Sequence, residues 1–193
     1  MLVIVPTVFE AVHLFGEAVR APLTADGVLA ITDGIDVLGQ RRSLPGKTTW
    51  HVATCGFGLA ASGVGALAAM GVQGGAVGGG FLKRAVLVGI SGTFDTVRAP
   101  VGSAIVGTEV ICEGIGAGTG EGYVSASTMG WSQGHTRSWL PAAGDRLPLT
   151  APSALRHLTA GAILSVAAAS GDVAHRDERA ARHTDALVEE IDR

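Results

Sequence analysis

Short apolar runs, each ended by glycine, proline or a small polar residue, recur along the chain and alternate with longer segments of helical spacing. The run Leu2–Val5 stops at Pro6 and predicts a first strand. Thr7 can cap a helix from Val8 to about Val19. The next two apolar segments, Val28–Ile31 and Ile35–Leu38, predict a hairpin. Thr48–Cys55 predicts a further strand, and a helix is predicted to begin at Leu59.

The second half of the chain continues the same alternation. Asp172 can cap a charged helix that runs to about Arg182, and Ser153 begins a shorter one. The segment Gly114–Pro152 is predicted to be mostly loop, and loops of such length are usually functional or mobile. Strands are predicted at Val86–Ile90, Ser103–Ile111, Ala162–Ala169 and Ala186–Ile191. Alternating strands and helices predict an α/β protein whose ligand crevice lies at the carboxyl ends of parallel strands.

One stretch of the pattern could instead indicate a membrane span, because no charged residue lies between Lys47 and Lys83. Its apolar part, Leu59–Val72, is about as long as one core helix and is rich in alanine and glycine. Five glycines then interrupt it within Gln73–Gly80. We therefore expect a helix packed closely on a sheet, and no association with a membrane.

Composition narrows the class of protein further. The 193 residues are 47% hydrophobic and 16% charged, which suits one globular domain with a sizeable core. The formal net charge is -3 without any basic cluster, so nucleic acid is not an expected partner. Cys55 and Cys112 lack the spacing of a metal or redox motif and are interpreted as buried thiols in a reducing cytoplasm. The first residues lack the basic segment of a signal peptide.

The segment Val86–Trp131 carries the clearest candidate chemistry. An apolar run, predicted to be a fully buried strand, leads into Gly89, Ser91 and Gly92. Glycines after a strand let the backbone approach a ligand closely, because no Cβ stands in the way. The same residues would also make an ordinary turn, and the pattern alone does not separate the two interpretations.

This segment, together with three others, resembles the futalosine hydrolase family within the superfamily of purine nucleoside phosphorylases and methylthioadenosine nucleosidases. The resemblance rests on four segments in order, which are VIVPTVFEA, CGFGLAASG, GISGTFD with APVGSAIVGTEV and GIGAGTGEGYVSASTMGW, and ILSVAAASGD with ARHTDALVEEID. It implies a three-layer, twisted mixed sheet flanked by helices, forming one domain over residues 1–193. It also implies a nucleosidase that releases hypoxanthine from a purine nucleoside in menaquinone biosynthesis, without a metal or organic cofactor. We expect a homo-oligomer.

The resemblance also implies roles for particular residues. Glu10 matches the position that activates the attacking water. A carboxylate there would repel phosphate, so water is the expected nucleophile rather than the phosphate of a phosphorylase. The residues expected to contact sugar and base are Ser91, Gly92, Ala168, Ala169, Ser170, Glu190, Ile191 and Asp192. Among them, Asp192 matches a ribose-binding glutamate of the family, although the aspartate side chain is shorter. Strand alternation places Glu190 and Asp192 on the same face of the last strand.

The sequence departs from the family after Asp192, where relatives continue with a strand that carries a general acid and with a closing helix. We expect either a fragment or a protein that has lost this acid, whose help is typically worth about 10²- to 10⁴-fold in rate. The chain as given should then be poorly stable and nearly inactive, because its last strand would form an unpaired edge. A catalytically weakened nucleoside-binding homologue and a phosphate-dependent phosphorylase are the alternatives.

Other motifs favour weaker alternatives. Gly56, Gly58 and Ala61 follow the dinucleotide-binding pattern, but the acidic residue expected about 20 positions later is absent. Glu10 could be an ordinary helix-start residue, and the acidic residues of the last strand could be a fraying terminus. The six histidines lack the spacing of metal ligands.

Overall fold

A computed structural model describes residues 1–32, 35–37, 40–42, 49–76, 84–131 and 144–191. The chain divides into two compact units, one over Met1–Ile90 and a second from Ser91 onward. Both units combine a mixed sheet with helices, which confirms the predicted α/β class. The prediction of a single domain stays a prediction.

The described residues of the first unit form six strands and three α-helices. In chain order these are β1 (Leu2–Val5), α1 (Val8–Phe15), α2 (Arg20–Asp26), β2 (Val28–Ile31), β3 (Ile35–Val37), β4 (Gln40–Arg42), β5 (Trp50–Thr54), α3 (Leu59–Ala76) and β6 (Ala85–Leu87). Four of the strands form a sheet in the order β2-β5-β1-β6. Strands β5 and β6 are parallel to β1, and β2 is antiparallel to β5.

Strand β1 is buried on both of its faces. Val3 and Val5 pack on one side in a cluster with Phe15 of α1 and Leu23 of α2. Leu2 and Ile4 pack on the other side with Ala53, Cys55 and Ala69. Burial on both faces explains why the sequence of β1 is a continuous apolar run rather than an alternating one.

Several predicted elements of this unit differ in the structure. The helix expected from Val8 to Val19 ends at Phe15, because Gly16 adopts φ 85° and a 3₁₀ turn follows. The hairpin expected between the second and third strands does not form, since β2 pairs with β5 and β3 pairs with β4. The run after Arg84 is not fully buried. Among the described residues, strand β6 pairs only with β1, and Leu87 is 49% exposed.

In the second unit, the part that the structure describes forms seven strands and one α-helix. They are β7 (Gly92–Thr93), β8 (Ile105–Cys112), β9 (Gly116–Ala117), β10 (Val124–Ser125), β11 (Arg146–Pro148), β12 (Thr159–Val166), α4 (Val173–Arg182) and β13 (Ala186–Ile191). Five of the strands form a sheet in the order β11-β8-β12-β13-β7. The three central strands are parallel, so their carboxyl ends meet at one edge of this sheet.

One expectation for this unit needs correction. The last strand is not an unpaired edge, because the short antiparallel β7 pairs with β13 at Val188 and Glu189. The segment expected to be mostly loop is mostly turn and irregular backbone over its described residues, and it also carries short paired strands, with β9 against β10 and β11 against β8. Asp172 caps α4 as predicted, and its side chain accepts a hydrogen bond from the amide of His175.

Within the described ranges, no helix is long and apolar enough to cross a membrane.

Candidate functional site

The first candidate centre is the carboxylate of Glu10, one turn after the carboxyl end of β1. Thr7 caps α1, and its hydroxyl accepts a hydrogen bond from the amide of Glu10 at 3.2 Å. The same hydroxyl donates to Oε2 of Glu10 at 2.9 Å. Glu10 is therefore part of the capping arrangement that its position near a helix start predicts.

A second contact shows that Glu10 is more than a surface cap. Its Oε1 accepts a hydrogen bond from the backbone amide of Ile90 at 3.1 Å, across 80 positions of sequence. The residue is only 8% exposed. Ile90 follows Gly89 in the segment after β6, so the carboxylate is held by backbone that is distant in sequence. A solvent-facing helix-start glutamate would make no such contact.

The glycine turn between β5 and α3 brings the helix close to the strand. Gly56 and Gly58 adopt φ 91° and 88°, which favour glycine. The helix itself packs through Gly65, where a Cβ would lie 2.0 Å from the carbonyl oxygen of Cys55. Close packing of helix on strand therefore accounts for this glycine pattern without a dinucleotide.

The second candidate centre lies where β8, β12 and β13 end together. Gly92 of β7 pairs with Glu189, and a Cβ on Gly92 would lie 3.6 Å from Cγ of that side chain. Ser170, shortly after β12, donates to Glu189 twice, from its amide at 3.1 Å and its hydroxyl at 2.8 Å. The structure thus brings two predicted site residues, Gly92 and Ser170, to the same carboxylate.

Glu189 is in turn paired with Arg179 of α4. The guanidinium Nη1 lies 3.2 Å from Oε2 of Glu189 and 3.2 Å from the hydroxyl of Ser170. Both charged residues are buried, with 7% exposure for Arg179 and 8% for Glu189. Buried charges are costly unless they are paired and hydrogen-bonded, and these two are both.

Glu113, the residue that follows β8, completes a buried ionic network. Its carboxylate lies 3.4 Å from Nε of Arg179, 3.4 Å from Nε2 of His183, and accepts a hydrogen bond from Arg182. Burial tends to raise the pKa of Glu113, but the hydrogen bond and charge of His183 and the positive charges of Arg179 and Arg182 outweigh it. The pKa is therefore lowered.

Arg182 also connects this network to the glycine loop after β8. Its guanidinium donates to the carbonyl of Gly120 at 3.3 Å and lies over the ring of Tyr123, 5.8 Å from the centroid. The Tyr123 hydroxyl accepts from the amide of Gly114 and donates to the carbonyl of Ile115. Burial raises the pKa of Tyr123.

The remaining predicted residues differ in their surroundings. Ser91 and Ala169 are exposed, and Glu190 is half-buried in β13. Ile191 is the last residue of β13. Asp192, the predicted ribose ligand, lies outside the described residues.

Sequence reasoning missed Glu113 and Arg179. A local sign was present for Glu113, which directly follows the apolar residues 110–112 at the end of β8. For Arg179 the sequence offered no such sign, because the greater burial of positions 176, 179 and 180 on one side of α4 is seen only in the structure. In the described part of the chain, no three His, Cys, Asp or Glu side chains are grouped to hold a metal ion.

Comparison with solved structures defines the class of fold as the nucleoside phosphorylase and nucleosidase type. A futalosine hydrolase mutant from Helicobacter pylori matches with a TM-score of 0.57 and 11% identity, over 99% of this chain and 78% of that one. A 5'-methylthioadenosine/S-adenosylhomocysteine nucleosidase from Neisseria meningitidis, in complex with methylthio-immucillin-A, matches with a TM-score of 0.56 and 14% identity, over 100% and 75%.

A nucleosidase of the same kind from Colwellia psychrerythraea 34H, in complex with adenine, matches with a TM-score of 0.55 and 14% identity, over 99% and 72%. No family model matches the sequence, and no curated protein matches it significantly. The likeness at these identities confirms the fold predicted from the sequence segments.

Proposed function

We propose that this chain is a nucleosidase that hydrolyses the N-glycosidic bond of a purine nucleoside, with Glu10 activating the attacking water. The observation that carries the proposal is the placement of Glu10. Its carboxylate is buried, follows the carboxyl end of β1 and accepts a hydrogen bond from the amide of Ile90 beside the glycine turn. Strand ends of this kind are where open α/β sheets bind ligands.

The chemistry requires a carboxylate of this type. As the bond between C1' and the base nitrogen breaks, the sugar develops positive charge and the departing base becomes negative. A water oxygen then bonds to C1' while Glu10 takes a proton from it, and the base nitrogen released from C1' takes a proton from solvent as it leaves. Carboxylates can serve as general bases when they lie within hydrogen-bonding reach of that water.

The contacts to ribose and base are assigned from the sequence segments. We assign the ribose to Glu190, Ile191 and Asp192, and the base to the segment of Ala169 and Ser170. The amide and hydroxyl of Ser170 both donate to Glu189, so we assign Ser170 a role in shaping this segment rather than in donating to the base. Ser91 and Gly92 are assigned to the sugar.

The finer identity follows from the sequence segments. They favour a futalosine hydrolase, with a role in menaquinone biosynthesis, over other nucleosidases. We further propose a cytoplasmic homo-oligomer, and the thiols Cys55 and Cys112 agree with a reducing compartment.

A phosphorylase would need phosphate where this proposal needs water. A buried carboxylate repels phosphate strongly, because like charges interact more in a medium of low dielectric constant. Glu10 therefore favours hydrolysis.

The proposal is tested by incubating the purified protein with futalosine, 5'-methylthioadenosine and inosine, with and without inorganic phosphate, and separating the products by chromatography. We expect free base and free sugar in phosphate-free buffer. Sugar phosphate, formed only when phosphate is added, would show a phosphorylase. Nucleoside binding without release of base would show a weakened binding homologue.

A further inference from the structure

Arg179 occupies an unusual position for an arginine in a short, highly charged helix. Its side chain is 9% exposed, whereas that of Arg176, one turn earlier in α4, is 41% exposed. Removing a guanidinium from water is costly, and a helix of this size could have placed an apolar side chain at the same point. The contacts of the guanidinium indicate what the arginine does there.

The guanidinium connects the ends of three neighbouring strands. Nε lies 3.4 Å from Glu113 at the end of β8, and Nη1 lies 3.2 Å from Glu189 in β13. Nη1 also lies 3.2 Å from the hydroxyl of Ser170, in the segment that follows β12. Only a planar, forked cation can meet two carboxylates and a hydroxyl at fixed angles, because an ammonium is a single point of charge.

The segment beyond β12 depends on this arrangement. Ser170 is held at its amide and its hydroxyl by Glu189, and Arg179 neutralises that carboxylate while contacting the same hydroxyl. Ala169 is exposed next to this anchored residue. The position of Ala169 is thus set through its neighbour Ser170, which the buried pair of Glu189 and Arg179 holds in place.

We infer that Arg179 is a positioning residue, which fixes the base-side segment Ala169–Ser170 against the end of β13 so that base and ribose are held in register. The inference rests on the proposed function, since it assigns a purpose to the segment that would hold the base. Arg179 acts through Glu189 and Ser170 and touches neither the base nor the sugar. A purely structural ion pair would support folding without affecting how the base binds.

The test replaces Arg179 by lysine, which keeps the positive charge and loses the fork. The matched control is Arg176→Lys, the same substitution in the same helix at a half-exposed arginine whose partner is the adjacent Asp177. Three quantities are measured well below the melting temperature: kcat and KM for the nucleoside, the dissociation constant of free hypoxanthine or adenine by calorimetry, and amide hydrogen exchange of peptides that cover residues 166–172.

For Arg179→Lys we expect kcat/KM to fall by roughly 10²-fold, the size of loss that a misplacement of about 1 Å produces. We also expect base affinity to weaken by at least about tenfold, since about 1.4 kcal/mol corresponds to each factor of ten, and exchange in the peptides to accelerate. The control should match the wild type in all three. Values for Arg179→Lys within about twofold of the wild type, even with a lower melting temperature, would overturn the inference.

A second variant covers the case in which Arg179→Lys does not fold. Glu189→Gln keeps the shape of the side chain and the pairing of Arg179 with Glu113, and should show the same losses of base affinity and exchange protection. Unchanged base affinity in that folded variant would also overturn the inference. If the wild type neither binds base nor releases it, the proposed function fails and the inference fails with it. If the wild type turns over normally and the Arg179→Lys variant is unaffected, only the inference is rejected.

Discussion

Replacing Glu113 with glutamine should destabilise the protein far more than the same change at Glu109, although both glutamates lie in or directly after β8 and both pair with arginine. Glu113 contacts Arg179, Arg182 and His183, and its side chain is 9% exposed. Glu109 pairs with Arg146, and these side chains are 29% and 46% exposed. Burial is therefore the main difference between the two sites.

The magnitude follows from what each substitution leaves behind. Removing one partner of a buried ion pair typically costs about 3 to 5 kcal/mol, because the remaining charge stays desolvated. Arg179 would still contact Glu189, and Arg182 would still contact Glu178, so we expect the lower limit, about 3 kcal/mol. An exposed pair such as that of Glu109 contributes about 0 to 1 kcal/mol.

Thermal unfolding at neutral pH measures both values. For a protein of this size, about 1 kcal/mol shifts the melting temperature by roughly 2 to 4 °C, so Glu113→Gln should melt about 6 to 12 °C below the wild type. Glu109→Gln should lie within about 4 °C of it. Equal shifts in the two variants would refute the argument from the buried network, and so would a more stable Glu113→Gln.

The remaining predictions concern acid stability and two backbone positions. Because pairing lowers the pKa of Glu113 from 4.5 in the folded state, its stabilisation is complete above that value and is lost as the pH falls through the lower, folded value. The wild type should therefore lose stability on acidification below about pH 4.5, and Glu113→Gln should lose less over the same range in thermal melts. Gly65→Ala should lower the free energy of unfolding by at least about 2 kcal/mol, because the added Cβ would meet the carbonyl of Cys55. The control Gly63→Ala, whose Cβ would have no atom within 4 Å, should leave the free energy of unfolding unchanged or raise it by up to about 1 kcal/mol. Thr7→Ala should cost about 1 kcal/mol in chemical denaturation through loss of the helix cap, and no loss would show that the cap is dispensable.

The elements that the sequence predicted well are those with a strong local signal. Strand β1 carries an unbroken apolar run, β13 an apolar start before its acidic end, and α4 an aspartate cap, and all three lie where they were expected. The partner of β2 was missed because pairing with β5 depends on contacts distant in sequence. The exposure of β6 was missed because an apolar run does not reveal how many neighbours a strand has.

The sequence named some residues of the candidate site, but it did not reveal the contacts between them. Gly92 was named from its place after an apolar run, whereas Glu10 and Ser170 were named from the family resemblance. The sequence could not show that the donors of Ser170 are directed at Glu189, or that Glu113 and Arg179 meet, because these contacts join residues of different elements. The place of Glu113 directly after the apolar end of β8 was the local sign that the sequence offered.

The central claim is that Glu10 activates water, and Glu10→Gln tests it most directly, with Glu17→Gln as the control at an exposed position near α1. Base release from the nucleoside is measured in phosphate-free buffer, and nucleoside affinity is measured separately by calorimetry. We expect Glu10→Gln to lower turnover by about 10²-fold or more while affinity stays within about tenfold, because the amide keeps the shape but cannot take a proton from water. The control should retain full turnover. Unchanged turnover in Glu10→Gln would contradict the account and return Glu10 to the role of a helix cap.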